Sequence, residues 1–195
     1  RRASWDRSRF VGENPPVREL GGSRVLVVGT GGIGRAVLER ASALGMICTG
    51  VRRRPELGAP PGFEKVAGVD SLDELLPDAD VLVLAAPLTS ETGRLMGAAR
   101  LDLLPSHAVV VNVARGALLE EAALLERLDD GRLRGAVLDV FDVEPLPADN
   151  SLWRNPRVLM TPHVSTVSPE RFWERQLALL LDNWQRYREG RPLRN

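Results

Sequence analysis

The sequence predicts an α/β protein built on a doubly wound parallel sheet. From residue 24 onward, short runs of Val, Leu and Ile alternate with longer segments of helical period. Each short run is almost continuously apolar, as in strands that are covered on both faces. A glycine-rich turn joins the first run to the first helical segment. We therefore expect a central parallel sheet with helices packed on its two faces.

Six apolar runs are predicted strands. They are 24–29 (RVLVVG), 46–51 (MICTGV), 80–87 (DVLVLAAP), 108–114 (AVVVNVA), 135–141 (GAVLDVF) and 157–162 (RVLMTP). In a parallel sheet the carboxyl ends of these strands meet at one edge, where ligands collect. The polar residues that follow each run are therefore the candidates for function.

Helices are predicted between the strands. The three segments are 32–45 (GIGRAVLERASALG), 71–76 (SLDELL) and 120–131 (EEAALLERLDDG). Gly45 and Gly131 stand where the first and third helices should end, because glycine readily adopts a left-handed conformation. Ser71 and Glu74 have the spacing of a capping box. These signals fix the predicted ends of the helices.

The two ends of the chain differ from its middle. Residues 1–21 are charged and interrupted by proline, with no strand of their own. Residues 168–190 predict one long helix, with Ser168 as N-cap and Pro169 at the first helical position. Its broad apolar stripe must pack on another surface, which is either this domain's own sheet or a partner domain or subunit. The stripe comprises Phe172, Trp173, Leu177, Leu180, Leu181 and Trp184.

Composition excludes several classes of protein. Basic and acidic residues balance at 26 each, so no global charge points to nucleic acid or to an anionic membrane. No apolar run approaches the roughly 20 residues that span a bilayer, and the first residues lack the apolar core of a signal peptide. The single cysteine, Cys48, lies in an apolar run and is predicted to be a buried thiol. We expect a cytoplasmic protein.

The glycine turn carries the first functional signal. Gly29, Gly31 and Gly34 form a G-x-G-x-x-G pattern directly after a strand and directly before a helix. Their expected roles are a tight turn, access of backbone amides to a pyrophosphate, and close packing of helix on strand. Gly32 and Ile33 then lie at the helix N-terminus, whose amides and dipole favour anions. The segment predicts a dinucleotide site on a Rossmann fold, over residues 22–166.

The end of the second strand addresses the choice of dinucleotide. An acidic residue that binds the ribose 2′-hydroxyl is expected about 20 residues beyond the glycine turn. Arg52 occupies that position, Arg53 follows it, and an arginine there favours a 2′-phosphate. The sequence thus favours NADP over NAD, with Arg54 facing solvent. The alternative is an ordinary surface run, because Lys65 is the only lysine and arginine is used almost everywhere.

Three later strand ends carry Arg115, Glu144 and His163. Each alone fits an ordinary surface or loop residue. Together they offer a cation for a carboxylate, an acid/base imidazole, and a carboxylate to orient that imidazole. The other histidine, His107, precedes a strand and is predicted to be structural or solvated. No cluster has the spacing of metal ligands, so no metal is expected.

In order along the chain, the motifs GTGGIG, LAAPLTSET, NVARG, LDVFDVEPLP and TPHVS resemble the D-isomer-specific 2-hydroxyacid dehydrogenase family. The resemblance runs from about Gly21 to the end of the chain. It implies that Arg115 binds the substrate carboxylate and that His163 is the acid/base. It also implies that Glu144 accepts a hydrogen bond from the other imidazole nitrogen of His163, which would fix the tautomer and favour the protonated ring. Asp139 would face the nicotinamide end of the cofactor. Turns near Pro87 and Ala114 would line that ring.

The resemblance also implies an activity and an organisation. Hydride would pass between NADP(H) or NAD(H) and a small 2-keto or 2-hydroxy acid such as glyoxylate or hydroxypyruvate. The formate dehydrogenase branch carries glutamine in place of Glu144, so the glutamate favours 2-hydroxyacid chemistry. The family's separate substrate domain is largely absent, and segments 1–21 and 167–195 would lead to it. A homodimer is expected. The alternative is a non-catalytic, corepressor-like module that senses NAD(P).

Overall fold

A computed structural model describes residues 17–59, 63–165 and 171–194 of the chain. The described residues fall into two compact units, which divide between Pro162 and His163. Among the described residues, the first unit contains a seven-stranded sheet and four α-helices, and the second contains one long helix. All seven strands of the sheet lie in the first unit, and the predicted domain bounds, 22–166, stay a prediction.

The sheet is parallel throughout and confirms the predicted fold class. Its strands run in the order β3-β2-β1-β4-β5-β6-β7, which is the doubly wound order of a Rossmann fold. The strands are β1 (Arg24–Val28), β2 (Ile47–Val51), β3 (Lys65–Ala67), β4 (Val81–Leu84), β5 (Val109–Asn112), β6 (Gly135–Leu138) and β7 (Val158–Met160). All six predicted strands are present. The sequence missed β3, which is only three residues long and lies at the edge of the sheet.

Four helices accompany the sheet: α1 (Gly32–Ala43), α2 (Leu72–Leu75), α3 (Ala98–Leu101) and α4 (Glu121–Asp129). Gly45 and Gly131 follow α1 and α4 with φ of 75° and 77°, as expected of glycines that end helices. The prediction of a capping box at Ser71 was wrong. Ser71 lies in a 3-10 turn, Val69–Ser71, and its side chain makes no capping bond to α2. The four-residue α3 was not predicted.

Two clusters of buried side chains form the core of the first unit. The smaller joins β1 to α1, and the larger joins β4, β5 and β6 to α2 and α4. Val27 and Val28 of β1 are both buried although they face opposite sides, which is the pattern expected of a strand covered on both faces. Cys48 is buried in the smaller cluster as predicted, and this burial, with the Glu64 carboxylate adding to it, raises the pKa of the thiol.

The second unit is built around α5 (Phe172–Arg188). The predicted cap at Ser168 and Pro169 lies outside the described residues. The chain after α5 folds back along it and is held there by two hydrogen bonds. The Asn183 side chain donates to Arg194 O (2.8 Å) and accepts from Arg194 N (2.7 Å). The expectation that the apolar stripe of α5 packs on this domain's own sheet, or on a partner domain or subunit, stays a prediction. Within the described part of the chain, no helix is long and apolar enough to cross a membrane.

Candidate functional site

The glycine turn after β1 has the geometry that its sequence predicts. Gly29 has a φ of 101°, and a β-carbon there would lie 2.5 Å from Ala86 N and 2.6 Å from the Ala85 carbonyl. Only glycine satisfies both constraints without strain. A β-carbon at Gly34 would overlap Gly29 O, so Gly34 lets α1 pack directly against the turn. The first turn of the fold therefore touches the chain that leaves β4.

The N-terminus of α1 is open to solvent and carries no competing acid. A β-carbon at Gly31 or Gly32 would meet no atom within 4 Å. The first helical turn contains no acidic residue, and Ile33 is exposed. The amide groups at the start of a helix lack partners within the helix and point along its axis. This combination suits an anionic group bound at the start of α1.

Arg52 and Arg53 follow β2, the strand that pairs with β1 on the side opposite to β4. Arg52 is half-buried; its amide donates to Ala67 O (3.0 Å) and its Nη1 to Gly58 O (3.4 Å). Arg53 is exposed, as is Arg54. Within the described residues, no acidic side chain forms an ion pair with any of the three. Their charges are thus not neutralised by the described part of the protein.

The turn after β4 contains Pro87 and is held by a small network of threonine hydroxyls. Thr92 Oγ1 donates to Pro87 O (2.7 Å) and accepts from Thr89 N (2.8 Å). Pro87 itself is exposed at the carboxyl edge of the sheet. These bonds give the turn a defined conformation next to the glycine turn.

The loop after β5 is organised by Asn112, whose role the sequence did not predict. Asn112 is 1% exposed, and its side chain accepts from Ala114 N (3.1 Å) and donates to Arg115 O (2.9 Å). Ala114 is buried, whereas Arg115 is exposed and donates from Nη1 to Ala114 O (2.6 Å). A buried amide side chain therefore fixes the backbone that presents Arg115 at the sheet edge.

The loop after β6 begins with Asp139 and contains Glu144. Asp139 is buried at 3% exposure and accepts a hydrogen bond from the Thr161 hydroxyl (2.5 Å) at the end of β7. Glu144 Oε1 accepts from Phe141 N (2.9 Å), so this carboxylate closes its own loop. Glu121, in the first turn of α4, accepts from the next amide, Asp142 N (2.6 Å). Carboxylates from two elements thus hold successive amides of this loop.

A close contact joins the loops after β5 and β6. A β-carbon at Gly116 would overlap the carbonyl group of Phe141 and the amide of Asp142. The residue after Arg115 must therefore be glycine for the two backbones to approach this closely. The contact brings the loops of Arg115 and Glu144 together, and the sequence analysis did not single out Gly116.

His163 is the first residue of the second unit. It is exposed and has a φ of 53°, which is uncommon for a residue other than glycine. Its pairing with Glu144 and its position relative to Arg115 stay predictions.

The opposite, amino-terminal edge of the sheet holds His107. Its Nε2 lies 2.7 Å from Oδ1 of Asp80, whose other oxygen accepts from Arg24 N (2.7 Å). This pair ties the turn before β5 to the chain entering β4 and β1, which agrees with the structural role expected of His107. A cavity of about 530 Å³ opens at this edge and includes none of the predicted site residues in its lining.

Of the predicted site residues, those of the first unit all follow the carboxyl ends of strands. They are Gly29, Gly31, Gly32, Ile33 and Gly34 after β1, Arg52 and Arg53 after β2, Pro87 after β4, Ala114 and Arg115 after β5, and Asp139 and Glu144 after β6. The described residues contain no group of three or more His, Cys, Asp or Glu side chains that could hold a metal ion. The edge is thus equipped to bind an extended anionic molecule through amides and arginines.

Comparison with known proteins gives consistent matches. Residues 1–165 match the family described as "D-isomer specific 2-hydroxyacid dehydrogenase, NAD binding domain". The chain is 40% identical over 172 residues to D-3-phosphoglycerate dehydrogenase of Methanocaldococcus jannaschii, covering 87% of this chain and 31% of that protein. It is 41% identical over 144 residues to glyoxylate/hydroxypyruvate reductase A of Salmonella typhi, covering 73% and 45%.

A solved structure shares both the fold and the sequence pattern. The D-isomer specific 2-hydroxyacid dehydrogenase of Xanthobacter autotrophicus Py2, in complex with NADPH and MES, is 36% identical and superimposes with a TM-score of 0.82. The match covers 96% of this chain and 74% of that one. The two curated relatives above are longer, and this chain spans about a third to a half of their length.

Proposed function

This chain belongs to the D-isomer specific 2-hydroxyacid dehydrogenase family, and from that premise we propose that it is the cofactor domain of a 2-keto acid reductase that prefers NADP(H). The observation that carries the proposal is the carboxyl edge of the sheet. There, an acid-free helix N-terminus, two arginines after β2 and the Arg115 loop stand along one line of strand ends. This is where the doubly wound fold binds a dinucleotide.

The residues present fit the pyrophosphate of such a cofactor. Gly31 and Gly32 leave their backbone uncovered, and Gly29 and Gly34 bring strand and helix close enough to form the turn. The amides of Gly32, Ile33 and Gly34 are the donors that would hold the phosphates. The nicotinamide half would then lie along the turns of Pro87 and Ala114 and next to Asp139.

The preference for NADP(H) rests on Arg52 and Arg53. The 2′-phosphate carries a charge that a guanidinium binds through charge-assisted hydrogen bonds, whereas an acid at this position would repel it. Arg52 retains donors beyond the one that it gives to Gly58. The similar Xanthobacter autotrophicus structure holds NADPH, which supports the same choice.

The chemistry follows from three side chains. When bound, the reduced dinucleotide supplies a hydride to the substrate's carbonyl carbon. Arg115 binds the substrate carboxylate with its planar guanidinium and helps to stabilise the charge that develops on the carbonyl oxygen. His163 donates the proton to that oxygen from one imidazole nitrogen. Glu144 accepts a hydrogen bond from the other nitrogen, which fixes the tautomer and the orientation of the ring.

We assign a small 2-keto acid such as glyoxylate or hydroxypyruvate as the substrate, or the matching D-2-hydroxy acid in the reverse direction. The name of the relative from Salmonella typhi supports this choice. A homodimer and a cytoplasmic location remain predictions of the sequence.

The test has a binding part and a turnover part. The chain is titrated with NADPH and with NADH, and NADPH is expected to bind at least tenfold more tightly. The full-length gene product is then assayed with glyoxylate and hydroxypyruvate. His163→Ala and Arg115→Ala should each lower kcat/KM by about 10²-fold or more. Unchanged rates in both variants would refute the assignment, and cofactor binding without turnover would favour the sensing module.

A further inference from the structure

The loop after β6 is held by a residue to which the proposed chemistry assigns no role. Glu121, in the first turn of α4, accepts a hydrogen bond at Oε1 from the backbone amide of Asp142, at 2.6 Å. Because the acceptor is a carboxylate, this bond is about twice as strong as a bond between two neutral groups. It ties the loop that contains Glu144 to a helix that lies outside the loop.

Helix α4 is a firm support for this bond. Its residues Ala123, Leu124 and Leu128 are buried in the larger core cluster, and Glu121 itself is half-buried. Side chains in such a core are close-packed, so a helix held by them moves little relative to the sheet. Glu121 therefore presents its acceptor oxygen at a position that the core determines.

The loop has less support of its own beyond Phe141. Phe141 is 8% exposed, whereas the chain from Asp142 to Glu144 is exposed and forms neither helix nor strand. The bond from Phe141 N to Glu144 Oε1 (2.9 Å) holds the loop together, but it does not locate the loop, because both partners belong to it. The bond to Glu121 locates the exposed part of the loop relative to the rest of the first unit.

Two features of the connection between β5 and α4 act on one peptide group of this loop. The backbone of Gly116 lies against the carbonyl group of Phe141 and the amide of Asp142, so it limits how closely the two loops approach. The bond to Glu121 acts in the opposite sense, because it resists separation at the same amide. The peptide group is thus limited in both approach and separation by the connection that also carries Arg115.

We propose that Glu121 is a positioning residue for the active site, acting by holding the loop of Glu144 at a fixed distance from the loop of Arg115. This inference rests on the proposed function, since it requires that Glu144 orients the imidazole of His163. Glu121 acts through the backbone of Asp142 rather than on the reacting atoms. Its loss therefore slows proton transfer, whereas the substrate carboxylate still binds to the guanidinium of Arg115.

The experiment measures reduction of glyoxylate and of hydroxypyruvate by the full-length gene product with NADPH. Glu121→Leu removes the acceptor oxygens, and Glu121→Gln retains one of them as the conservative variant. Glu121→Leu is expected to lower kcat about tenfold or more and to change KM for the keto acid less than about twofold, because misplaced catalytic groups mainly slow the chemical step. Glu121→Gln should keep kcat within about threefold of the wild type.

Binding of NADPH shows whether each variant is folded, since the glycine turn is distant in sequence from the substitution. Glu121→Ala also lacks the acceptor and is a good helix former, so it replaces Glu121→Leu if that variant does not bind NADPH. The same loss of kcat is expected for both.

A double-mutant cycle tests whether the effect passes through Glu144. In a Glu144→Gln background, adding Glu121→Leu should lower kcat by less than about twofold further. An unchanged kcat in Glu121→Leu, an equal loss in Glu121→Gln, or full additivity with Glu144→Gln would overturn the positioning role and leave the proposed function standing. A wild-type enzyme that reduces neither keto acid would instead disprove the proposed function, and this inference with it.

Discussion

The backbone of Gly116 lies against the carbonyl group of Phe141 so closely that no β-carbon fits between them. This contact joins the loop that presents Arg115 to the loop that contains Glu144. Since the two loops follow neighbouring strands, β5 and β6, their separation is set by backbone packing as well as by side chains. The contact therefore provides a direct way to disturb the proposed active site without touching its charged groups.

We expect Gly116→Ala to destabilise the first unit and to separate these loops. A methyl group at this position overlaps backbone atoms that cannot rotate away, so the free energy of unfolding should fall by about 2–3 kcal/mol. Urea unfolding followed by circular dichroism measures the change. The control is Gly68→Ala, since a β-carbon there would meet its nearest atom, Pro55 Cγ, at an ordinary 3.6 Å. Equal stability of the two variants would contradict this account.

Asn112→Leu should also lower stability, for a different reason. Leucine leaves Ala114 N and Arg115 O without the partners that the amide side chain supplies. Because such groups are costly to bury unpaired, we expect a loss of about 3 kcal/mol. Asn150→Ala is the comparison, since its side chain makes one capping bond, to Leu152 N, and should cost about 1 kcal/mol. A smaller loss for Asn112→Leu than for Asn150→Ala would disprove the bracing role.

Arg52→Asp should change cofactor selectivity toward NAD(H). The substitution removes a cation from the end of β2 and introduces a carboxylate that repels a 2′-phosphate and accepts from a free ribose hydroxyl. The ratio of NADH to NADPH dissociation constants is expected to fall by about tenfold or more. Arg54→Asp, at an exposed position two residues on, makes the same charge change and should alter the ratio little. Similar shifts in both variants would mean that the arginines act only through general surface charge.

The ion pairs of Asp102, the residue that follows α3, predict how stability depends on pH. Hydrogen bonds from Arg127, with the charge of Arg132 adding to them, hold the pKa of Asp102 below its usual range. A carboxylate whose pKa is lowered by folding stabilises the protein above its unfolded pKa, about 4. That contribution is lost as the pH falls through the folded pKa. Asp102→Asn should therefore be less stable than the wild type at pH 7, with a smaller difference at pH 3.

The control for this measurement is Arg132→Gln, which removes a half-exposed partner of Asp102 and leaves the buried Arg127 in place. Its effect at pH 7 should be smaller than that of Asp102→Asn, because exposed ion pairs contribute little. Urea midpoints at the two pH values give both comparisons. A difference between wild type and Asp102→Asn that stays constant with pH would show that the charge of Asp102 is not involved.

Local sequence signals predicted the elements whose causes are local. Continuous apolar runs identified six strands, and Gly45 and Gly131 identified helix ends, because each signal acts within a few residues. Two very short elements were missed. The three residues of β3 and the four of α3 carry no apolar run or end signal that marks them in the sequence. Ser71 matched a capping pattern, but the chain there forms a 3-10 turn instead.

The candidate site divides in the same way. The glycine turn and the arginines after β2 could be found from the sequence, since their chemistry depends on spacing along one segment. Asn112 and Gly116 are the first and last residues of the NVARG motif, but no role was assigned to either from the sequence. Thr161 and Asp139 are 22 residues apart in the chain and meet only because β6 and β7 are neighbours. Their relation depends on the order of strands in the sheet.

The sequence by itself determined the parallel sheet, the glycine turn after β1 and the types of residue at the strand ends. It could do so because apolar periodicity and glycine conformation are properties of short segments. Only the tertiary structure decided which strand ends are neighbours, which backbones touch, and which side chains brace others. Local sequence patterns do not predict hydrogen bonds and close contacts between distant segments. Such contacts arise when burial of the core brings those segments to the same edge.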